Sequence, residues 1–266
     1  MRTIAITGSA SGIGAALRQR LTEAGDRVIG VDVRSVEEAD VVADLSTPEG
    51  RKQAVEAIQQ QCGGVLDGIV PCAGLSGLPG RAGSLLTSLN YFGTVDLLVG
   101  LRENLARAEA PAAVVVSSNS TTTVPPGMVH AELVEACLAH DEETARTLGD
   151  KFGSLAAYPA TKTALARWVR RNAPTDAWIG QGINLNAVAP GKTETAMIAE
   201  GRADPVIGQH IDAFPVPVGR SGRPEEIAAL MAFLLGPEAR FIVGSVIFAD
   251  GGTDAQARPD DWPVPQ

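Results

Sequence analysis

Thr3-Ile4-Ala5-Ile6-Thr7-Gly8-Ser9-Ala10-Ser11-Gly12-Ile13-Gly14 opens the chain as a β-branched apolar run followed at once by a glycine turn. The residues after it, Ala15 to Leu21, carry helical spacing and end near Gly25. Strand, glycine turn, helix is the order in which glycines have a chemical meaning. They let backbone approach a pyrophosphate, and the helix start offers free N–H groups and partial positive charge. The spacing is G-x-x-x-G-x-G rather than G-x-G-x-x-G, and no Lys-Ser or Lys-Thr closes it as a P-loop. The competing reading is a tight turn that binds nothing.

The same rhythm continues outward. Arg27 to Val33 reads as a second strand with Asp32 at its carboxyl end, 18 residues beyond Gly14. That is close to the ~20 expected of a carboxylate that bonds both ribose hydroxyls and repels a 2′-phosphate. NAD is therefore favoured over NADP, although Arg34 stands two residues on. A solvated strand-end acid is the plainer reading of Asp32. Val41 to Leu45 reads as a third strand ending in Asp44, whose carboxylate can reach an adenine amino group. Pro48 to Gln61 reads as a helix. Leu66 to Val70 is a fourth strand running into Pro71-Cys72-Ala73-Gly74, a turn small enough to lie against a cofactor. Cys72 reads as buried filler rather than a reactive thiol. Leu85 to Arg107 reads as one long helix containing Asn90, an unfavoured residue there.

Ala112 to Val116 is a continuous apolar run, as in a central parallel strand, and ends in Ser117-Ser118-Asn119-Ser120. Ile183 to Ala189, before Pro190-Gly191, and Ser245 to Ala249 are the remaining strands. Strands alternating with helices imply an α/β fold: a single Rossmann-type doubly wound parallel sheet of about seven strands. One domain, 1–266, is expected, with a helical insertion at 119–157 and a C-terminal tail at 253–266 whose outer part is loosely held. Lys192 to Ala213, poor in large apolar residues, reads as a mobile lid.

Tyr158 and Lys162, four apart at the head of a periodic segment, share one helix face. A phenol has an ordinary pKa of about 10, and a nearby ammonium lowers it toward useful acid–base chemistry. Taken alone, such a pair is usually a solvated helix face.

Of 266 residues, 45% are hydrophobic and 20% charged, so a sizeable core is expected. The net charge of -9 argues against nucleic acid or an anionic membrane as partner. Three cysteines without C-x-x-C spacing fit a reducing compartment, and three scattered histidines offer no ligand spacing, so no metal is expected. No run reaches the ~20 apolar residues of a membrane span. A soluble cytoplasmic protein is expected.

Taken in order, Thr7-Gly8-x-x-x-Gly12-x-Gly14, Cys72-Ala73-Gly74, Asn90, Ser118, Tyr158-x-x-x-Lys162 and Pro190-Gly191 resemble the motifs of the short-chain dehydrogenase/reductase family over essentially the whole chain. Cys72 replaces the Asn of the family's N-A-G turn. Ala43 to Gln53, Asn90-Tyr91-Phe92-Gly93, Pro111 to Val115, the forty residues between Ser118 and Tyr158, and Ala189 to Thr195 resemble the bacterial 3α-hydroxysteroid dehydrogenase/carbonyl reductase group. Coniferyl-alcohol dehydrogenases of the family share the long gap.

The resemblance implies hydride transfer between a nicotinamide and a secondary alcohol or ketone. Tyr158 exchanges the hydroxyl proton, Lys162 lowers its pKa and holds the nicotinamide ribose, and Ser118, rather than its neighbour Ser117, bonds the substrate oxygen. Asn90 holds a water that relays protons. The implied cofactor set is Gly8, Ser9, Gly12, Ile13, Gly14, Asp32, Asp44, Leu45, Cys72, Ala73, Gly74, Tyr158, Lys162, Pro190, Gly191 and Thr193. The implied substrate is a small apolar alcohol or ketone: a steroid, an aromatic alcohol or another cyclic ketone. Val124, Pro125, Met128, Met197 and Ile198 are candidate lining. A homodimer or homotetramer is expected from the family. A non-catalytic NAD-binding sensor and a nucleotide-sugar epimerase or dehydratase are the rival readings.

Overall fold

The computed structural model describes residues 1–125 and 127–261. Pro126, expected in a loop, and the outer tail at 262–266 lie outside the described residues.

Seven parallel strands form one sheet in the order β3-β2-β1-β4-β5-β6-β7: β1 (Thr3–Thr7), β2 (Arg27–Asp32), β3 (Val41–Val42), β4 (Gly68–Pro71), β5 (Ala112–Val116), β6 (Asn184–Pro190) and β7 (Val246–Ala249). Alternate residues of each strand face opposite layers. Ile4 and Ile6 pack with Val70, Val114 and Val188 against α1 (Gly12–Glu23) and α12 (Pro224–Leu234), which supply Leu17, Leu21, Ile227 and Met231. Ala5, Ile69, Ala113 and Val115 face the other layer, with α2 (Pro48–Gln61), α4 (Gly93–Gly100) and α9 (Ser154–Asn172).

Winding reverses after β3, so β1 and β4 are neighbours although two strands separate them in sequence. This switch point opens a crevice at the carboxyl ends of the strands. The register is tight there. Thr7 stands beside Val31 and Pro71, Val116 beside Val188, and Pro190 beside Ala249. Gly8, Cys72, Ser117 and Gly191 therefore leave the sheet along one rim.

Three expectations need correction. The segment 85–107 is not one helix. It divides into α3 (Gly83–Thr87), a π turn (Ser88–Phe92), α4 and α5 (Arg102–Leu105). The turn widens where Asn90 is bonded to backbone outside its helix, and the Thr94 hydroxyl takes the Asn90 carbonyl at 2.9 Å. The third strand stops at Val42, because the Asp44 carboxylate accepts the Ser46 N–H at 2.9 Å and Thr47 caps α2 through the Gly50 N–H. Tyr158 is not at its helix start: α9 begins four residues earlier, at Ser154.

Between β5 and α9 lie α6 (Ser120–Thr123), α7 (Ala131–Leu138) and α8 (Glu142–Phe152). After β6 come α10 (Ala196–Ala203) and α11 (Gly208–Ala213), and α13 (Thr253–Ala257) follows β7. The 192–213 segment is tied by charge: Arg202 bonds both Glu194, at 2.6 and 2.7 Å, and Asp212, at 2.9 Å.

Candidate active site

The glycine turn is built as its residue types require. Gly8 and Gly12 have φ of 65° and 54°, where side chains with a Cβ are strained. A Cβ on Gly14 would collide with the Gly8 carbonyl oxygen. The first turn of α1 thus rests on the turn backbone, and its N-terminus meets the strand rim. Ser11 precedes α1 in extended conformation and makes no side-chain cap. The first N–H groups of the helix are left for an anion.

A cleft of about 500 Å³ runs along the rim from this turn. Gly8, Gly12, Ile13 and Gly14 form one end, and Cys72, Ala73 and Gly74 the floor. Tyr158, Lys162, Pro190, Gly191 and Thr193 form the other end. These expected residues come together. Thr7 holds the floor in place, its hydroxyl accepting the Ala73 N–H at 2.9 Å. The Cys72 thiol is pushed up to about 11 by burial, against the pull of Lys162, which disfavours the thiolate. Gly191 lies so close to Asp250 that a Cβ would stand 2.6 Å from the Asp250 Cβ.

Four expected cofactor residues do not line the cleft. Ser9 is fully buried and its hydroxyl donates to the Glu38 carbonyl at 2.7 Å; Ser11 occupies the wall instead. The Leu45 side chain is 4% exposed and packs in the core. Asp44 is exposed and spends one carboxylate oxygen on Ser46. Asp32 ends β2 beside the turn. One of its oxygens accepts the Ala10 N–H at 3.3 Å, and the other accepts the Arg34 backbone and side chain at 3.0 and 3.2 Å. Arg34, a candidate phosphate ligand by sequence, is held by that acid.

The two adjacent serines separate by strand alternation. Ser117 Oγ donates to the Lys162 carbonyl at 2.9 Å, inside the fold. Ser118 faces the cleft, accepts the Ser120 N–H at 3.1 Å and shares a hydrogen bond with Tyr158. Lys162 Nζ donates to the Val116 carbonyl at 2.8 Å and lies 5.9 Å from the Tyr158 ring centre. Burial brings the ammonium down to about 8. Burial also raises the Tyr158 phenol above its ordinary value, and the bond to Ser118 acts in the opposite direction. The Lys162 ammonium is turned to the Val116 carbonyl, and the downward pull on the phenol comes from Ser118.

Asn90 is fully buried. Its amide both accepts the Leu75 N–H and donates to the Leu75 carbonyl, each at 2.9 Å. It clamps the turn that follows Gly74.

Beyond Ser118 and Tyr158 lies a second cavity of about 330 Å³. Val124, Met197 and Ile198 line it as expected, whereas Pro125 and Met128 do not. Leu155 and Pro159 of α9 also line it, with Ile207, Ile211 and Phe214 around α11. Ile207, Ile211 and Phe214 form an i, i+4, i+7 row that was readable in the sequence. Ser118, Tyr158 and Gly191 belong to both spaces, so one hydroxyl pair faces the glycine-walled cleft and the apolar cavity at once. Among the described residues, no three His, Cys, Asp or Glu side chains gather as a metal site.

Residues 2–130 match the short chain dehydrogenase family, and residues 144–254 match the enoyl-(acyl carrier protein) reductase family. The chain is 41% identical to the 3-alpha-hydroxysteroid dehydrogenase/carbonyl reductase of Comamonas testosteroni, over 98% of this chain and 100% of that one. It is 30% identical to the coniferyl-alcohol dehydrogenase of Pseudomonas sp. strain HR199, over 94% and 96%. The crystal structure of the 3-alpha-hydroxysteroid dehydrogenase from Pseudomonas sp. B-0831, complexed with NADH, superposes with a TM-score of 0.91 at 48% identity, covering 97% and 99%.

Proposed function

The chain belongs to the short-chain dehydrogenase/reductase family, and on that premise we propose that it interconverts 3α-hydroxysteroids and their ketones, and related carbonyl compounds, with NAD(H). The observation that carries this reading is the Ser118–Tyr158 pair, set between a glycine-walled cleft and an apolar cavity. The residues fit a dinucleotide: the uncapped α1 N-terminus and the Gly8–Gly14 cradle suit its pyrophosphate. When bound, the nicotinamide supplies the hydride carrier.

The chain's own residues do the rest. In oxidation Tyr158 takes the hydroxyl proton of the alcohol; in reduction it returns one. Ser118 donates to the substrate oxygen and steadies charge developing there. Lys162 stands ready to hold the nicotinamide ribose, and Asn90 fixes the floor beneath it. The apolar cavity selects a ring system over a polar chain. The experiment is a steady-state assay of androsterone, its 3β epimer and coniferyl alcohol with each cofactor. NAD-dependent turnover of androsterone supports the reading. Turnover of coniferyl alcohol alone moves the substrate to an aromatic alcohol. NAD binding without turnover of any of them favours a sensor.

Cofactor choice rests on Asp32. Asp32→Ser removes the carboxylate and frees Arg34 for a 2′-phosphate. The NADP-over-NAD ratio of kcat/KM is expected to rise on the order of a hundredfold, read by initial rates with each cofactor.

The pH dependence follows from Tyr158. Oxidation needs the phenolate, and burial places its formation on the alkaline side. The kcat/KM for oxidation is expected to keep climbing with pH on the alkaline side, while that for ketone reduction declines as the phenol loses its proton. Matching profiles in both directions would count against this assignment.

We place the protein in the cytoplasm as a homodimer or homotetramer. Its three cysteines are free, and no described helix is long and apolar enough to cross a membrane. The outer strand β7 is half-exposed, and Phe241, shortly before it in the chain, is fully exposed; this strand edge suits a second copy.

A further inference from the structure

Helix α8 of the insertion reaches the π turn with two side chains four residues apart. Glu142 Oε1 accepts a hydrogen bond from Ser88 Oγ at 2.8 Å, and the Arg146 guanidinium donates to the same hydroxyl oxygen at 2.6 Å. Ser88 is fully buried and is the first residue of the π turn. Glu142 is itself held from α2. The buried Arg51 guanidinium donates to Glu142 through two nitrogens, one at 3.2 Å, and meets Asp96 of α4 at 2.7 Å. His140 Nε2 adds a contact to Asp96 at 3.2 Å, from the only non-glycine left-handed backbone among the described residues, φ 59°. Glycines let α3 and α8 close: a Cβ on Gly83 would collide with the Gly149 carbonyl.

We propose that the 119–157 insertion is a positioning element of the active site: Glu142 and Arg146 hold Ser88 and thereby set the π turn that delivers Asn90 to the cleft floor. The proposal rests on the reading of Asn90 as part of the site. The path is short. Asn90 follows Ser88 by two residues and is locked to Leu75 by both atoms of its amide. A Cβ built on Gly74 would stand 3.0 Å from Asn90 Oδ1 and 3.9 Å from Lys162 Nζ. Any movement of the turn is passed to the floor against which Lys162 is set, the residue that would hold the nicotinamide ribose. Arg51 is a positioning residue one step further out, because it fixes Glu142 rather than Ser88.

An insertion that served stability alone would change melting and leave turnover intact. Ser88→Ala separates the two cases. It deletes one hydroxyl and leaves Glu142 and Arg146, four apart on α8, free to pair with each other. Turnover of androsterone with NAD is expected to fall about tenfold in kcat, as a displacement of well under 1 Å at a catalytic group can do. The KM, the NADH dissociation constant and the melting temperature should stay near wild type. Ser88→Thr, which returns the hydroxyl, should restore most of the kcat. Glu142→Gln, which still accepts from Ser88, should lose less than Glu142→Ala.

Wild-type kcat in both Ser88→Ala and Glu142→Ala, with Asn90→Ala impaired, would overturn the proposal. Full turnover in Asn90→Ala would overturn it too, by removing the group being positioned. The dehydrogenase reading is judged separately, by Tyr158→Phe.

Discussion

Tyr158→Phe lowers the rate of alcohol oxidation by about three orders of magnitude and leaves NADH binding and melting temperature nearly unchanged. The substitution removes one oxygen. The ring that Lys162 faces at 5.9 Å remains, and Ser118 keeps its bond from the Ser120 N–H. Packing of α9 is therefore preserved, and the loss reports proton transfer alone. Without the phenol, the alcohol proton has no acceptor in the cleft, because Lys162 is bonded to the Val116 carbonyl and Ser117 is turned inward. Initial rates with androsterone, paired with NADH fluorescence titration, check this. A fall of less than about tenfold, below the usual range for a general acid or base, would show that another group moves the proton.

Gly14→Ala has the second largest expected effect, and it falls on binding. Its Cβ would meet the Gly8 carbonyl oxygen, which is backbone and cannot swing aside. Either α1 lifts or the turn opens, and both withdraw the helix N-terminus from the pyrophosphate position. Overpacking of this kind costs about 1–3 kcal/mol. At ~1.4 kcal/mol per tenfold, NADH affinity should fall roughly ten- to hundredfold. Gly25→Ala is the control. Gly25 has a left-handed φ, 88°, which strains any side chain, but a Cβ there meets nothing within 4 Å. It should cost stability and leave affinity alone. Equal affinity losses in the two variants, followed by calorimetry, would mean general destabilisation rather than a damaged cradle.

Much of this site was readable because its signals are local. Gly8, Gly12 and Gly14 carry their meaning in consecutive backbone. Tyr158 and Lys162 carry theirs in a four-residue helical interval, and Pro190-Gly191 in a strand end. The doubly wound parallel sheet followed from alternation of strand and helix. What escaped depends on contacts far apart in sequence. Nothing local says that Asn90 is buried, because its partner is Leu75 on a different connection. Nothing local turns Ser9 under Glu38 or places Leu45 in the core. The choice between Ser117 and Ser118 is a matter of strand phase, fixed only when Lys162 takes its place on α9. Two of the missed cavity residues, Ile207 and Ile211, stood in a legible row with Phe214, diluted by the polar residues between them. The electrostatics of Tyr158 were the least legible. An ammonium four residues away suggests a lowered phenol, yet direction depends on where that ammonium points.

The most direct measurement is isotope transfer from androsterone carrying deuterium at C3, incubated with NAD and the purified protein. The expected result is androstanedione together with reduced cofactor heavier by about one mass unit per hydride moved, both formed about a thousandfold more slowly by Tyr158→Phe. Reduced cofactor without the label, or no reduced cofactor while NAD remains bound, would contradict hydride transfer from the carbinol carbon at this site.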